Sequence, residues 1–105
     1  MSLNINSDYK NDSNNWIVEI SGELDVSCAD DLKKELDGNM DDKFSNVEID
    51  MSNLQYIDST GIGVIVGAMK KLRKGKKDIS ILNAKDNVKK IFKITGLDQI
   101  IRMEG

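Results

Sequence analysis

The sequence predicts an α/β domain built on a mixed sheet of about five strands, with helices mainly covering one face. Apolar residues alternate with polar ones in some segments and recur at helical spacing in others. The two kinds of segment follow each other along the chain, which is typical of a mostly parallel or mixed sheet. Because 105 residues bury one core and little more, we expect residues 1–105 to form a single domain.

The first two predicted strands form a hairpin. One strand begins at about Leu3 and alternates with polar neighbours, and the polar segment Lys10–Asn15 is turn-like. In the second strand Trp16, Val18 and Ile20 share one face. We expect that face to be half-buried and Trp16 to take part in packing.

The first helix is predicted from about Ser27 to Asp37. Ser27 is a favoured capping residue, acidic residues occupy the first turn, and Gly38 follows the end. The apolar residues that would lie on one face of this helix are Cys28, Ala29, Leu32 and Leu36.

A strand over Val47–Met51 is followed by the second helix, from near Ser59 or Thr60 to about Lys74. Gly75 comes directly after its predicted end. An apolar stripe at helical spacing supports this helix, formed by Ile62, Ile65, Val66, Met69 and Leu72.

The last predicted elements are a strand, a helix and an edge strand. They cover Ile79–Leu82, about Lys85–Thr95 and Gln99–Met103. Gly96 follows the third helix as a C-terminal stop.

Composition argues against several classes of function. The chain has no histidine, which removes the usual general base and with it Ser-His and Cys-His catalysis. A single cysteine, Cys28, cannot form an internal disulfide, and without histidine it makes a structural zinc site implausible. We therefore expect a protein that is not an enzyme and carries no metal or cofactor.

The charge distribution argues against nucleic acid and membrane partners. The net charge is −3, with acids in excess between residues 22 and 50 and bases in excess between residues 70 and 93. A nucleic-acid-binding domain is usually basic overall, whereas the basic stretch here is either a solvated helix face or a surface for an acidic partner. With no signal-peptide pattern and no apolar run long enough to span a bilayer, we expect a cytoplasmic protein.

The most informative segment is 56–67, where a strand region meets the start of the second helix. Backbone N–H groups at a helix N-terminus are unsatisfied and the helix dipole is positive there, so a phosphate on Ser59 would be tolerated. Gly61 and Gly63 reduce side-chain bulk, so another protein's backbone could approach. The alternative is that Asp58 and Ser59 merely cap the helix.

Three segments resemble the STAS domain family (sulfate transporter and anti-sigma-factor antagonist). The sequence DSTGIG at residues 58–63 is similar to the family's phosphorylation segment. GELD at residues 22–25 resembles the loop before its first helix, and IFKITGL at residues 91–97 resembles its last helix and the following turn. The order of these motifs covers nearly the whole chain.

This resemblance implies a phosphorylation-controlled regulator of transcription. In antagonists of this type, the unphosphorylated protein binds an anti-sigma factor that is also a serine kinase, and so frees the sigma factor. The kinase then phosphorylates the serine after the aspartate, here Ser59, and a PP2C-type phosphatase restores it. The partner-binding positions implied around Ser59 are Asp25, Asp58, Thr60, Gly61, Ile62 and Gly63.

Two other functions stay open. Some STAS proteins are scaffold or transport-accessory subunits without a sigma-factor role. A small nucleotide-binding protein is the third possibility, since glycines recur over residues 61–67, but the spacing is G-x-G-x-x-x-G and Asn83 stands where a dinucleotide site needs an acid. We expect Gly63 and Gly67 instead to be close packing points against the sheet.

Overall fold

The computed structural model describes residues 2–105 and contains a five-stranded sheet and three α-helices. A 3₁₀ helix precedes the last strand. In chain order the elements are β1 (Leu3–Lys10), β2 (Asn15–Leu24), α1 (Ala29–Asp42), β3 (Asn46–Ile57), α2 (Ser59–Lys74), β4 (Ile79–Leu82), α3 (Asp86–Ile94), the 3₁₀ helix (Leu97–Gln99) and β5 (Arg102–Glu104).

The sheet is mixed, as predicted, with the strands side by side in the order β1-β2-β3-β4-β5. β1 and β2 form the expected antiparallel hairpin, and every later neighbour is parallel. Successive parallel strands need crossover connections, which the helices supply. The carboxyl ends of β2 and β3 therefore lie at the same edge of the sheet.

The core lies between the sheet and the helices. Val18, Ile49 and Ile81 on the three central strands are fully buried, and Leu32 and Ile65 cover them from α1 and α2. Trp16 is also buried, as expected, and its indole N–H donates to the backbone oxygen of Lys43.

The opposite face of the sheet is polar. Asn6, Glu19 and Asp50 stand in register across β1, β2 and β3, in positions that alternate with the core-facing residues. This alternation agrees with the prediction that the helices mainly cover one face of the sheet.

Helix α1 differs from the prediction at both ends. It begins at Ala29, and Ser27 is not its cap; the Ser27 hydroxyl donates to the Asp25 carboxylate instead. It also continues through Gly38 to Asp42, because Met40 is buried one turn further along the apolar face. That burial outweighs the roughly 1 kcal/mol by which glycine disfavours a helix interior.

Strand β3 is longer than the predicted Val47–Met51 and runs to Ile57. Its pairing with β2 shifts register twice, and the buried residues after Met51 are Leu54 and Ile57, three apart. Because buried residues do not alternate with exposed ones after Met51, the sequence pattern did not predict the second half of the strand. β2 likewise includes residues 22–24, which the sequence placed in a loop.

The C-terminal region agrees closely with the prediction. Helix α3 lies within the predicted range, and Gly96 adopts the left-handed conformation that ends it, with φ of 76°. The predicted edge strand Gln99–Met103 is wrong by a few residues, because the 3₁₀ helix occupies its beginning and β5 runs from Arg102 to Glu104.

Candidate functional site

The candidate site lies where β2 and β3 end side by side. Leu24 and Ile57 are paired in the parallel ladder, and the backbone N–H of Asp58 donates to the Leu24 oxygen at 3.1 Å. The β2–α1 loop and the start of α2 consequently meet at this edge. The sequence alone does not show that these two segments meet; the structure does.

Asp58 connects the two segments through its side chain. One carboxylate oxygen, Oδ1, accepts the Gly61 N–H at 3.0 Å and so caps α2. The other, Oδ2, accepts the Val26 N–H at 3.1 Å, which belongs to the β2–α1 loop. Both oxygens thus bind backbone groups of the chain itself, and the capping role that the sequence left open is present.

Ser59 and Thr60 are the first two residues of α2, and both are exposed. In an α-helix the first backbone N–H groups have no partner within the helix. Here those of Gly61 and Ile62 are bonded to Asp58, through its carboxylate and its backbone oxygen respectively. The Ser59 hydroxyl therefore lies at the positive end of the helix dipole, accessible to another protein.

Gly61 and Ile62 are buried, unlike their neighbours in the motif. A Cβ atom added to Gly61 would lie 2.6 Å from Leu24 Cγ and 3.1 Å from Ile57 Cγ1. The absence of a side chain at Gly61 lets α2 start directly on the ends of β2 and β3. Ile62 is only 8% exposed, so these two residues lie beneath the surface around Ser59.

Gly63 and Gly67 are not packed against the sheet, and that expectation was wrong. Gly63 is exposed, Gly67 is half-buried, and a Cβ atom added to either would meet nothing within 4 Å. Both line a groove of about 230 Å³ between α1 and α2 that reaches Thr60 at one end. The other residues lining it are Lys33, Leu36, Asp37, Val64, Ala68 and Lys71.

An ion-pair cluster closes the far end of the groove. Asp37 of α1 accepts from Lys71 of α2 at 2.8 Å and from Lys33 at 3.0 Å. These hydrogen bonds, with Lys71 the stronger influence, hold the pKa of the Asp37 carboxyl below its usual value. The pair with Lys71 joins α1 to α2.

The β2–α1 loop is held mainly by Asp25. Its carboxylate accepts from the hydroxyl and the backbone N–H of Ser27, and the hydroxyl bond chiefly holds the pKa of the Asp25 carboxyl below its usual value. Its backbone oxygen accepts the N–H groups of Cys28 and Ala29 and so starts α1. Asp25 is half-buried, whereas Val26 beside it is 75% exposed.

Val26 and the groove are features that the sequence reasoning missed. An apolar residue in a loop gives no periodic signal, and a groove between two helices depends on how they pack.

Residues 2–105 contain no group of three or more His, Cys, Asp or Glu side chains able to hold a metal ion. In that part of the chain no helix is both long and apolar enough to cross a membrane.

Comparison with known proteins identifies the family. The family model of the STAS domain matches residues 6–105. This chain belongs to the STAS domain family. The family that residues 22–25, 58–63 and 91–97 indicated is thus confirmed, and so is the α/β fold that it implied.

Curated relatives and solved structures match along most of the STAS domain. It is 31% identical over 101 residues to the anti-sigma-B factor antagonist of Staphylococcus aureus (strain NCTC 8325 / PS 47), covering 96% of this chain and 94% of the relative. It is 32% identical over 103 residues to the Staphylococcus epidermidis protein of the same name, covering 98% and 94%.

Among solved structures, an anti-sigma factor antagonist from Mycobacterium paratuberculosis has a TM-score of 0.86 at 20% identity, covering 98% of this chain and 86% of that one. The unphosphorylated form of the antagonist SpoIIAA has a TM-score of 0.79 at 18% identity, covering 97% and 87%. These structures share the fold of the STAS domain described here.

Proposed function

We propose that this STAS domain is an anti-sigma-factor antagonist whose partner is exchanged when Ser59 is phosphorylated. The unphosphorylated chain binds an anti-sigma factor that is also a serine kinase, and the sigma factor is released. The kinase transfers the terminal phosphoryl group of ATP to the Ser59 hydroxyl, and a PP2C-type phosphatase removes it by hydrolysis. We therefore propose that the chain acts in the cytoplasm, where it would bind its partners and be phosphorylated.

The observation that carries this proposal is the exposed Ser59 at the first position of α2. Its neighbour Asp58 is occupied in capping the helix, so Ser59 is not needed as the cap and its hydroxyl is available as an acceptor. The names of the curated relatives support the choice of an anti-sigma factor as the partner. The chain contains no histidine to activate Ser59, which supports a role as a substrate and not as a nucleophile.

Phosphorylation would change the surface and leave the fold intact. A phosphate adds a charge of about −1.5 to −2 at a helix N-terminus, where the positive end of the helix dipole stabilises it. The same charge stands next to the Asp58 carboxylate, which binds the backbone of the exposed Val26, on the surface that a partner would cover. A loss of about 3 kcal/mol in that contact would weaken binding roughly a hundredfold.

Apart from Asp58, which binds backbone groups of two elements, the implied partner-binding residues divide into two groups. Asp25, Thr60 and Gly63 are exposed or half-buried around Ser59 and are suited to direct contact. Gly61 and Ile62 lie beneath them and support the start of α2. We propose that the second group affects binding through the packing of the helix.

The first experiment is peptide mass spectrometry of the chain after incubation with ATP and a lysate of its source cells. We expect one phosphoryl group on the peptide that contains Ser59, lost in Ser59→Ala and retained in the matched control Thr60→Ala. If Ser59 carries no phosphate while a kinase-type anti-sigma factor in the lysate is shown to be active, the phosphorylation-controlled function is wrong. A scaffold or transport-accessory role would then replace it.

A further inference from the structure

The Asp58 side chain is directed into the chain itself. Its two oxygens accept backbone N–H groups from two different elements, Gly61 in α2 and Val26 in the β2–α1 loop. These two bonds use one acceptor position on each oxygen for the chain itself. Asp58 therefore has a structural role in addition to any contact with a partner.

Val26 is the loop residue that Asp58 binds. Its side chain is 75% exposed, the largest exposed fraction among the bulky apolar residues of the described chain. The hydrogen bonds of Asp25 remain within the loop and the start of α1. The Val26 N–H bond instead crosses to the residue before Ser59, so it fixes the loop relative to the phosphorylation site.

We propose that Asp58 is a positioning residue that holds the Val26 backbone next to the residue before Ser59, so that the exposed Val26 is an apolar contact for the kinase that modifies Ser59. The inference rests on the proposed function and adds a recognition residue outside the DSTGIG segment. An exposed valine whose backbone is already held by a hydrogen bond loses little conformational freedom when a partner covers its side chain. Its burial would contribute binding energy in proportion to the apolar area removed from water.

The substitution Asp58→Asn separates the two hydrogen bonds. An asparagine side chain keeps one acceptor oxygen and replaces the other with an NH₂ group, which donates only. Because asparagine is a favoured N-cap residue, we expect it to keep the bond to the Gly61 N–H. The Val26 N–H then has no acceptor on residue 58, and the loop loses this one hydrogen bond without loss of the helix cap.

The first measurement needs no partner. In NMR spectra of the Asp58→Asn chain we expect the Val26 amide proton to move upfield and to exchange with solvent about tenfold faster, as for the loss of one hydrogen bond. The Gly61 amide should remain close to its parent position. An unchanged Val26 amide in the variant would show that Asp58 does not hold the loop, and the inference would be wrong.

The second measurement is the initial rate of phosphoryl transfer to Ser59, with ATP and a source-cell lysate, as a function of the concentration of the chain. We expect Asp58→Asn and Val26→Ser each to raise the apparent KM about tenfold with the maximal rate near the parent value. The matched control is Ile94→Ser, which removes an aliphatic side chain of similar exposure, 70%, at the end of α3. It should leave both parameters unchanged.

The outcomes distinguish this inference from the function on which it rests. A parent chain that receives phosphate on Ser59, together with a Val26→Ser variant of unchanged KM, would refute the inference alone. A lower maximal rate at unchanged KM in Asp58→Asn would also refute it, because Asp58 would then act in the transfer step. A parent chain that receives no phosphate would refute the proposed function and the inference together.

Discussion

The same substitution, glycine to alanine, should have opposite effects at two positions of α2 that are only two residues apart. At Gly61 the new Cβ would lie 2.6 Å from Leu24 Cγ, and Leu24 is fully buried and cannot move aside freely. Overpacking of this kind costs about 1–3 kcal/mol. At Gly63 the Cβ would meet nothing within 4 Å, and the better helix propensity of alanine should stabilise the chain by about 0.5–1 kcal/mol.

The two variants should therefore differ in their free energy of unfolding by about 1.5–4 kcal/mol. Urea titration followed by the fluorescence of the buried Trp16 measures this difference, and Gly38→Ala is the matched control. Gly38 is also exposed and helical with open space at its Cβ, so its variant should behave like Gly63→Ala. If Gly61→Ala is as stable as Gly63→Ala, the packing of α2 on the strand ends does not require glycine at position 61.

Three further predictions concern the surface and its charges. Ser59→Ala should keep binding to the anti-sigma factor and abolish phosphorylation. Ser59→Asp should weaken binding at least tenfold, or by about 1.4 kcal/mol, as measured by calorimetry. Equal binding of both variants would contradict the proposal that negative charge at residue 59 weakens the complex. Gly63→Leu should weaken binding by filling the groove end near Ser59, and Gly38→Leu should not; equal affinities would exclude the groove from the interface. Asp37→Asn should lower stability at pH 7. Since the folded carboxyl has its pKa lowered from 3.8 by Lys71 and Lys33, its contribution is present above that value and lost as the pH falls through the folded pKa. Urea midpoints of parent and variant should thus converge on acidification, and a constant difference would contradict the ion pair.

Prediction from sequence succeeded where the signal is local. The period of apolar residues fixed the order and kind of every strand and α-helix, and Gly96 marked the end of α3. The start of α2 was also readable, because the capping preferences of Asp58 and Ser59 act within one turn. At Gly38, the glycine predicted the end of α1, but the burial of Met40 favours a longer helix, and the predicted boundary was wrong.

The sequence by itself determined that a serine stands at a helix N-terminus next to a carboxylate, because both residues belong to one short segment, 58–63. Only the tertiary structure decided what each of those residues does. Gly61 packs on Leu24 while Gly63 opens onto a groove, and Asp58 binds the N–H of Val26, 32 residues away in the chain. The reason is that these differences come from the parallel pairing of β2 with β3, which brings two distant loops to one edge of the sheet.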